Sequence, residues 1–114
     1  EFNKENKMNK EEKDNEYYVD NETLLKEYKL SKLQGYPTDN FIVLVMKMAN
    51  NISRVFRYKN YEDKFDCIQS GLLDVITYWD RFDEEKSSNI FSYITQILKN
   101  GMAKGFNILQ NKKR

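Results

Sequence analysis

Apolar residues recur at intervals of three and four along most of the chain, and this spacing restricts the folds open to it. The clearest stretch holds Phe65, Ile68, Leu72, Val75, Ile76 and Trp79. A second holds Ile90, Phe91, Ile94, Ile97, Leu98 and Met102. Such spacing places apolar side chains on one side of an α-helix, whereas a half-buried strand would alternate apolar and polar residues. The pattern therefore predicts two amphipathic helices.

Two earlier stretches show the same spacing. The first helix is predicted to begin at Asp20 or Asn21 and to end at Gly35. Its apolar positions are Leu24, Leu25, Tyr28 and Leu33. The second should begin at Thr38 or Asp39 and continue to Phe56. The apolar positions of the second are Phe41, Ile42, Val45, Met48, Ala49, Ile52 and Phe56.

The predicted fold class is all-α, a small bundle of about four helices. Asn60 is the expected cap of the third helix, and Ser87, Ser88 or Asn89 that of the fourth. Gly101 and Gly105 are expected to weaken the fourth helix towards its end, because glycine disfavours helix interiors. A strand remains the alternative for 41–46, where β-branched valines occur.

A chain of 114 residues is long enough for one domain with a modest core. Residues 1–16 contain almost no side chain that could be buried, so they are expected to form a loosely ordered leader. The helical domain should span residues 17–105. Residues 106–114 form a predicted C-terminal tail that ends in three basic residues, Lys112-Lys113-Arg114.

The residue types present argue against several function classes. The sequence has no histidine and one cysteine, which excludes the usual zinc sites and the commonest general base. It also lacks a glycine-rich phosphate loop and a nucleophile motif. We therefore expect no enzyme activity, no cofactor and no metal. Cys67 is predicted to be a small core residue, and no apolar run is long enough to span a membrane.

Charge is balanced overall, with 19 basic and 18 acidic residues, so any binding surface must arise from local segregation. The third helix presents acidic and polar positions beside its apolar stripe: Asp63, Asp66, Gln69, Ser70 and Asp74. They indicate either an ordinary solvated face or a docking surface for a basic partner.

The fourth helix carries amides and ammonium groups at spacings of three and four, on Gln96, Lys99, Asn100 and Lys104. Lysines can contact phosphates, and amides can contact base edges. Tyr93 lies one turn earlier, where an exposed ring could stack on an unpaired base. The alternative interpretation is a solvated helix with a core tyrosine.

Parts of these two helices resemble the second conserved region of bacterial sigma factors. That region reads roughly D-L-I-Q-E-G, then K-F-D, then Y-A-T; the matching positions here are Asp66, Ile68, Gln69, Gly71, Arg81-Phe82-Asp83, Tyr93 and Thr95. The sequence is still more similar to late-transcription sigma factors of T-even bacteriophages. Those carry F-D-P-E-K-S/T-x-N-P-F-A-Y-F-T-Q-I, and residues 82–97 here read F-D-E-E-K-S-S-N-I-F-S-Y-I-T-Q-I. The resemblance covers about residues 18–102.

This resemblance implies a sigma factor that binds core RNA polymerase and melts an A/T-rich, minus-ten-like promoter element to start phage late transcription. The positions that match the helix docking on the β′ clamp helices are Asp66, Gln69, Ser70 and Leu73. Those that match the DNA-reading helix are Tyr93, Thr95, Gln96, Lys99 and Asn100, and Lys104 shares their surface. Other implied partners are a phage co-activator and a sliding clamp, and the implied location is the cytoplasm of an infected bacterial cell.

One departure from the family pattern lies at Gln96-Ile97, where housekeeping sigma factors have paired tryptophans. Melting would then depend on Tyr93 or on partner subunits. The main alternative is a helical adaptor, an anti-sigma factor or co-activator, that binds polymerase without contacting DNA. A free-standing duplex repressor is a third hypothesis, and it is disfavoured because no helix-turn-helix is apparent.

Overall fold

The computed structural model describes residues 18–58 and 60–112, the last two of these by their backbone alone. Its described part contains four α-helices and no strand: α1 (Asn21–Gln34), α2 (Asp39–Ser53), α3 (Tyr61–Tyr78) and α4 (Ile90–Lys112). A short 3-10 helix, Trp79–Arg81, follows α3 directly. The all-α prediction is confirmed, and the strand considered for 41–46 is not formed. The predicted leader, residues 1–16, lies outside the described residues, as do residues 113–114 of the tail.

The helix starts follow from local side-chain chemistry. Asp20, Thr38 and Asn60 each precede a helix, and each accepts a hydrogen bond from the backbone N–H three residues later. Asn89 does the same for α4, since its Oδ1 lies 3.0 Å from the N–H of Ser92. Capping satisfies donors that have no partner within the helix. Gly35 ends α1 at φ 90°, a left-handed conformation that glycine adopts readily.

The core is centred on the ring of Tyr28, which is fully buried. It packs against Phe41, Trp79 and Phe82, with ring centroids 5.5 to 6.3 Å away. Its hydroxyl donates to the Phe82 carbonyl at 3.1 Å, so the buried O–H is satisfied. Burial raises the pKa of Tyr28 to about 12, and the carboxylate of Glu84 adds to this. Tyr28 thus links α1 to α2 and to the segment after α3.

Most of the predicted core positions are buried, including Cys67. Four are exposed instead: Leu33 is 85% exposed, Phe65 49%, Ile76 59% and Ile42 41%. Each lies at the edge of an apolar stripe that is wider than the surface its neighbouring helices cover. Periodicity identifies the buried side of a helix, but the width of that side depends on how the helices pack. Placing these four residues in the core was therefore wrong.

Helices α3 and α4 form the most extensive contact in the bundle. Glycines bring their backbones together: a Cβ built on Gly101 would lie 2.9 Å from the Cα of Gly71. One built on Gly105 would lie 2.9 Å from the Cβ of Ser70. The helix continues past Gly101 and Gly105 to Lys112, and the expected free-energy cost of these glycines to the helix stays a prediction. They allow a close approach of two helices.

The part of α4 beyond residue 105 also packs against the bundle. Phe106 lies 5.4 Å from Phe56 and 6.1 Å from Tyr58, measured between ring centroids. The boundary expected at residue 105 therefore falls inside a helix and beside an aromatic cluster. Within the described residues, no helix has the length and hydrophobicity needed to cross a membrane.

Candidate functional site

The outward side of α3 carries three of the four residues matched to polymerase docking. Asp66, Gln69 and Leu73 are all exposed, and Leu73 has 63% of its surface accessible. Their spacing of three and four places them on one face of the helix. We call these three residues the α3 docking face.

Ser70, the fourth residue of the predicted set, faces a different direction. Its hydroxyl donates to the carbonyl of Gly101 at 2.8 Å, and the residue is half-buried against α4. The neighbouring polar residue Asp74 also faces α4, where it accepts from the Lys104 ammonium at 3.3 Å. Both residues hold the two helices together, so the polar side chains of α3 divide into an exposed group and an interhelical group.

An apolar groove runs between α2 and α3, next to the α3 docking face. It has two adjoining parts that share Met46 and Leu72. Phe65 lines the part nearer the start of α3, together with Gln69, and Ile76 lines the other. We call this the α2–α3 groove. Phe65 and Ile76 were expected in the core, and the sequence signal that could have placed them here is the unusual width of the apolar stripe on α3.

Three residues of the predicted DNA-binding set lie together on the exposed side of α4. These are Gln96, Lys99 and Asn100, and we call them the α4 polar face. The Gln96 amide nitrogen donates to the Asn100 side-chain oxygen at 3.0 Å. This bond leaves each amide with hydrogen-bonding capacity directed at solvent, because every side-chain amide has two donor hydrogens and two acceptor sites. The surface can therefore offer both donors and acceptors to a polar ligand.

Two other members of that set flank the α4 polar face. The Lys104 ammonium forms an ion pair with Asp74 at 3.3 Å and keeps 60% of its side chain exposed. Exposed pairs of this kind contribute little free energy, so Lys104 could exchange Asp74 for a phosphate. Thr95 is half-buried. It lies on one side of the α4 polar face, and Tyr93 lies on the other.

Tyr93 packs against the segment that follows α3. Its ring lies 5.3 Å from that of Phe82, and its hydroxyl donates to the carbonyl of Tyr78 at 2.7 Å. Burial raises the pKa of Tyr93; the cation of Arg81 opposes this shift and Asp80 adds to it. The ring is half-buried. It is therefore neither the exposed stacking ring nor the fully buried core tyrosine that the sequence suggested as alternatives.

Local contacts hold the start of α4 against α1 and hold the segment after α3 against its end. The Asn21 side chain donates to the Ser88 carbonyl and accepts from the backbone N–H of Phe91, both at 2.9 Å. The Arg81 guanidinium lies 4.7 Å above the ring of Tyr78, within the range of a cation–π interaction. These contacts hold in place the segment after α3 against which Tyr93 packs.

Among residues 18–58 and 60–112, no cluster of three or more His, Cys, Asp and Glu side chains could hold a metal ion. Comparison of the chain with protein-family models, with curated proteins and with solved structures finds no match. The two helix surfaces and the sequence motifs are therefore the features that bear on function.

Proposed function

We propose that this protein is a sigma-type promoter-specificity subunit. In this proposal it binds a multisubunit RNA polymerase through α3 and the α2–α3 groove, and it holds an opened, A/T-rich, minus-ten-like promoter element on α4 to start phage late transcription. The observation that carries the proposal is the pairing of two chemically different exposed surfaces on adjacent helices that pack backbone to backbone.

The chemistry of the first surface suits a helical protein partner. Phe65 and Ile76 supply apolar contact area at the rim of the groove, and Asp66 and Gln69 supply charge and hydrogen bonds beside it. Interfaces with an apolar centre and a polar rim are typical of specific protein–protein contacts. We therefore assign docking to the α3 docking face together with the groove, and we assign Ser70 to the contact between α3 and α4.

The chemistry of the second surface suits a nucleic acid. Lys99 and Lys104 would contact phosphates, and Gln96 and Asn100 would contact base edges. Tyr93 is adjacent, and its ring could stack on an unpaired base on the side away from Phe82. Binding single-stranded bases better than duplex shifts the opening equilibrium without any catalytic group. The localisation implied by this proposal is the bacterial cell in which the polymerase acts.

Run-off transcription with core RNA polymerase tests the proposal. The protein should direct core polymerase to one defined start site, and thymines in the opened region should react with permanganate. Tyr93→Ala should reduce that reactivity about tenfold or more, as expected for loss of one stacked base, without reducing polymerase binding. Tyr93→Phe is the matched control, because it keeps the ring and removes only the hydroxyl bond. Absence of a defined start site, with polymerase binding intact, would contradict the proposal.

One observation favours the adaptor hypothesis instead. Tyr93 is engaged with Tyr78 and Phe82, Gln96 bonds Asn100, and Lys104 pairs with Asp74. Every one of these residues has a partner within the protein, and in the adaptor hypothesis α4 serves the fold alone. An adaptor would bind polymerase and change the output of another sigma factor, but it would not start transcription when added alone to the core enzyme.

A further inference from the structure

The outer face of α1 is a second exposed surface with a defined chemistry. Leu25, Leu30 and Leu33 lie along it, interspersed with Lys26 and Lys29. Leu30 is 43% exposed and Leu33 85%, whereas Leu25 is half-buried at the inner edge. We call these five residues the α1 outer face. None of them lines the α2–α3 groove or belongs to the α4 polar face.

The charges of this face are available to a partner. Lys26 and Lys29 form no ion pair with any residue in the described part of the chain, and Glu22 is the one acidic residue that lines the same shallow depression. The next lysine, Lys32, differs because its ammonium donates to the Asp80 carbonyl at 3.2 Å. The face is therefore positive and partly apolar.

We propose that the α1 outer face binds an amphipathic, acidic helix of a partner protein. Leucines at helical spacing match the apolar stripe of such a helix, and the two lysines match carboxylates that flank the stripe. A second copy of this chain fits less well. A parallel in-register pairing of two α1 helices, or an antiparallel pairing centred between Lys26 and Lys29, would set lysines of one copy against lysines of the other, and opposed like charges disfavour both pairings.

Binding of a model helix tests this proposal on the full chain. The probe is a fluorescein-labelled helical peptide of about 15 residues with leucines along one face and glutamates beside them. Its control has lysines in place of the glutamates. Measured by fluorescence polarisation at low salt, the acidic peptide should bind at least about tenfold tighter than the basic one, because opposite charges across an interface favour association and like charges oppose it.

Two variants test the face itself. Lys26→Glu with Lys29→Glu should lower affinity for the acidic peptide about tenfold or more, and Leu33→Ser should do so by removing the most exposed apolar contact. Both changes lie on the surface, and circular dichroism would verify the fold. Equal binding of the two peptides, or unchanged affinity in either variant, would overturn the proposal.

Two further measurements address other occupants of the face. Sedimentation equilibrium that finds a dimer, dissociated by Leu33→Ser, would assign the face to self-association and overturn the proposal. Co-sedimentation with phosphatidylglycerol vesicles that is lost in the Lys26→Glu, Lys29→Glu variant would assign it to anionic lipid, with the same consequence. A monomer that does not bind the vesicles supports the assignment to an acidic helix.

Discussion

The hydroxyl of Tyr58 is buried and forms no hydrogen bond with any described residue. The Cys67 thiol lies close enough to influence its ionisation, but a thiol is a weak hydrogen-bonding group. Burial is the main reason that the pKa of Tyr58 rises from 10.0 to about 12, and Cys67 contributes less. The folded protein thus favours the neutral phenol.

This residue leads to a prediction about pH and stability. Because the folded-state pKa lies above the unfolded value of 10.0, the contribution of Tyr58 is complete below pH 10 and is lost as the pH rises to about 12. We expect the free energy of unfolding to fall over that range, less steeply in Tyr58→Phe than in the parent chain. Urea denaturation at several pH values measures both slopes.

Tyr28 provides the internal reference for this comparison. Its pKa is also about 12, so the Tyr58→Phe variant should keep a residual alkaline decline. At neutral pH the same variant should be as stable as the parent, or up to about 1 kcal/mol more stable, since it removes a buried hydroxyl that forms no hydrogen bond with the described residues. If Tyr58→Phe were instead clearly less stable than the parent chain at neutral pH, the hydroxyl would have a stabilising partner.

Residue-level features were predicted well where their cause is local. Asn60 was the expected cap of its helix, and Asp20 and Thr38 were each one of two expected starts; each accepts its bond within three residues of sequence. Ser70 shows the opposite case. Its polar side chain indicates an exposed position, yet it bonds to Gly101, 31 residues away. Only the packing of two helices decides which polar residues face solvent.

The approach of α3 to α4 is the element-level feature with the clearest test. A Cβ on Gly101 would lie 2.7 Å from the Asp74 carboxylate and 2.9 Å from the Cα of Gly71. Gly101→Ala should therefore destabilise the protein by about 1–3 kcal/mol through backbone displacement. The higher helix propensity of alanine, about 1 kcal/mol, opposes this loss but does not cancel it. Urea unfolding, monitored by circular dichroism, measures the difference in the free energy of unfolding between the variant and the parent chain.

Asn107→Ala is a matched control on the same helix. Asn107 is exposed, so the substitution changes helix propensity without introducing a clash and should be neutral or slightly stabilising. If Gly101→Ala were as stable as Asn107→Ala, the two helices would have to separate easily, and the close approach would not be a determinant of stability.

The helices themselves were predictable because each carries its own apolar spacing and caps. The contacts between the helices were not predictable. The widths of the buried stripes, the half-buried state of Tyr93 and the use of Asn21 as a second cap for α4 all depend on tertiary packing. For the same reason, the sequence grouped Ser70 with Asp66, Gln69 and Leu73, and the α2–α3 groove became visible only with α2 in place.

At the scale of the whole molecule, the proposal predicts that two surfaces can be disabled separately. Asp66→Ala with Gln69→Ala should weaken binding to the β′ clamp helices by about 1–2 kcal/mol, a common loss for a pair of interface residues. Stability should change little, because both side chains are exposed. A pull-down with the isolated clamp helices, quantified by titration, measures the affinity.

Lys99→Ala is the comparison for this experiment. It lies on the α4 polar face, so it should reduce promoter binding and leave polymerase affinity unchanged. Retained polymerase affinity in the Asp66→Ala, Gln69→Ala variant would contradict the docking assignment. Ser70→Ala should instead lower stability by about 1 kcal/mol, because it removes the bond to the Gly101 carbonyl.

The single cysteine has a practical consequence for labelling chemistry. Cys67 is fully buried, and burial, with Asp63 and Asp66 nearby, raises the pKa of its thiol. Maleimides react with accessible thiolates, so the native protein should resist modification while folded. A cysteine introduced at an exposed position, such as 73 or 99, could then carry one fluorophore without removal of Cys67. Fluorescent probes could thus report on either surface in an otherwise unaltered chain.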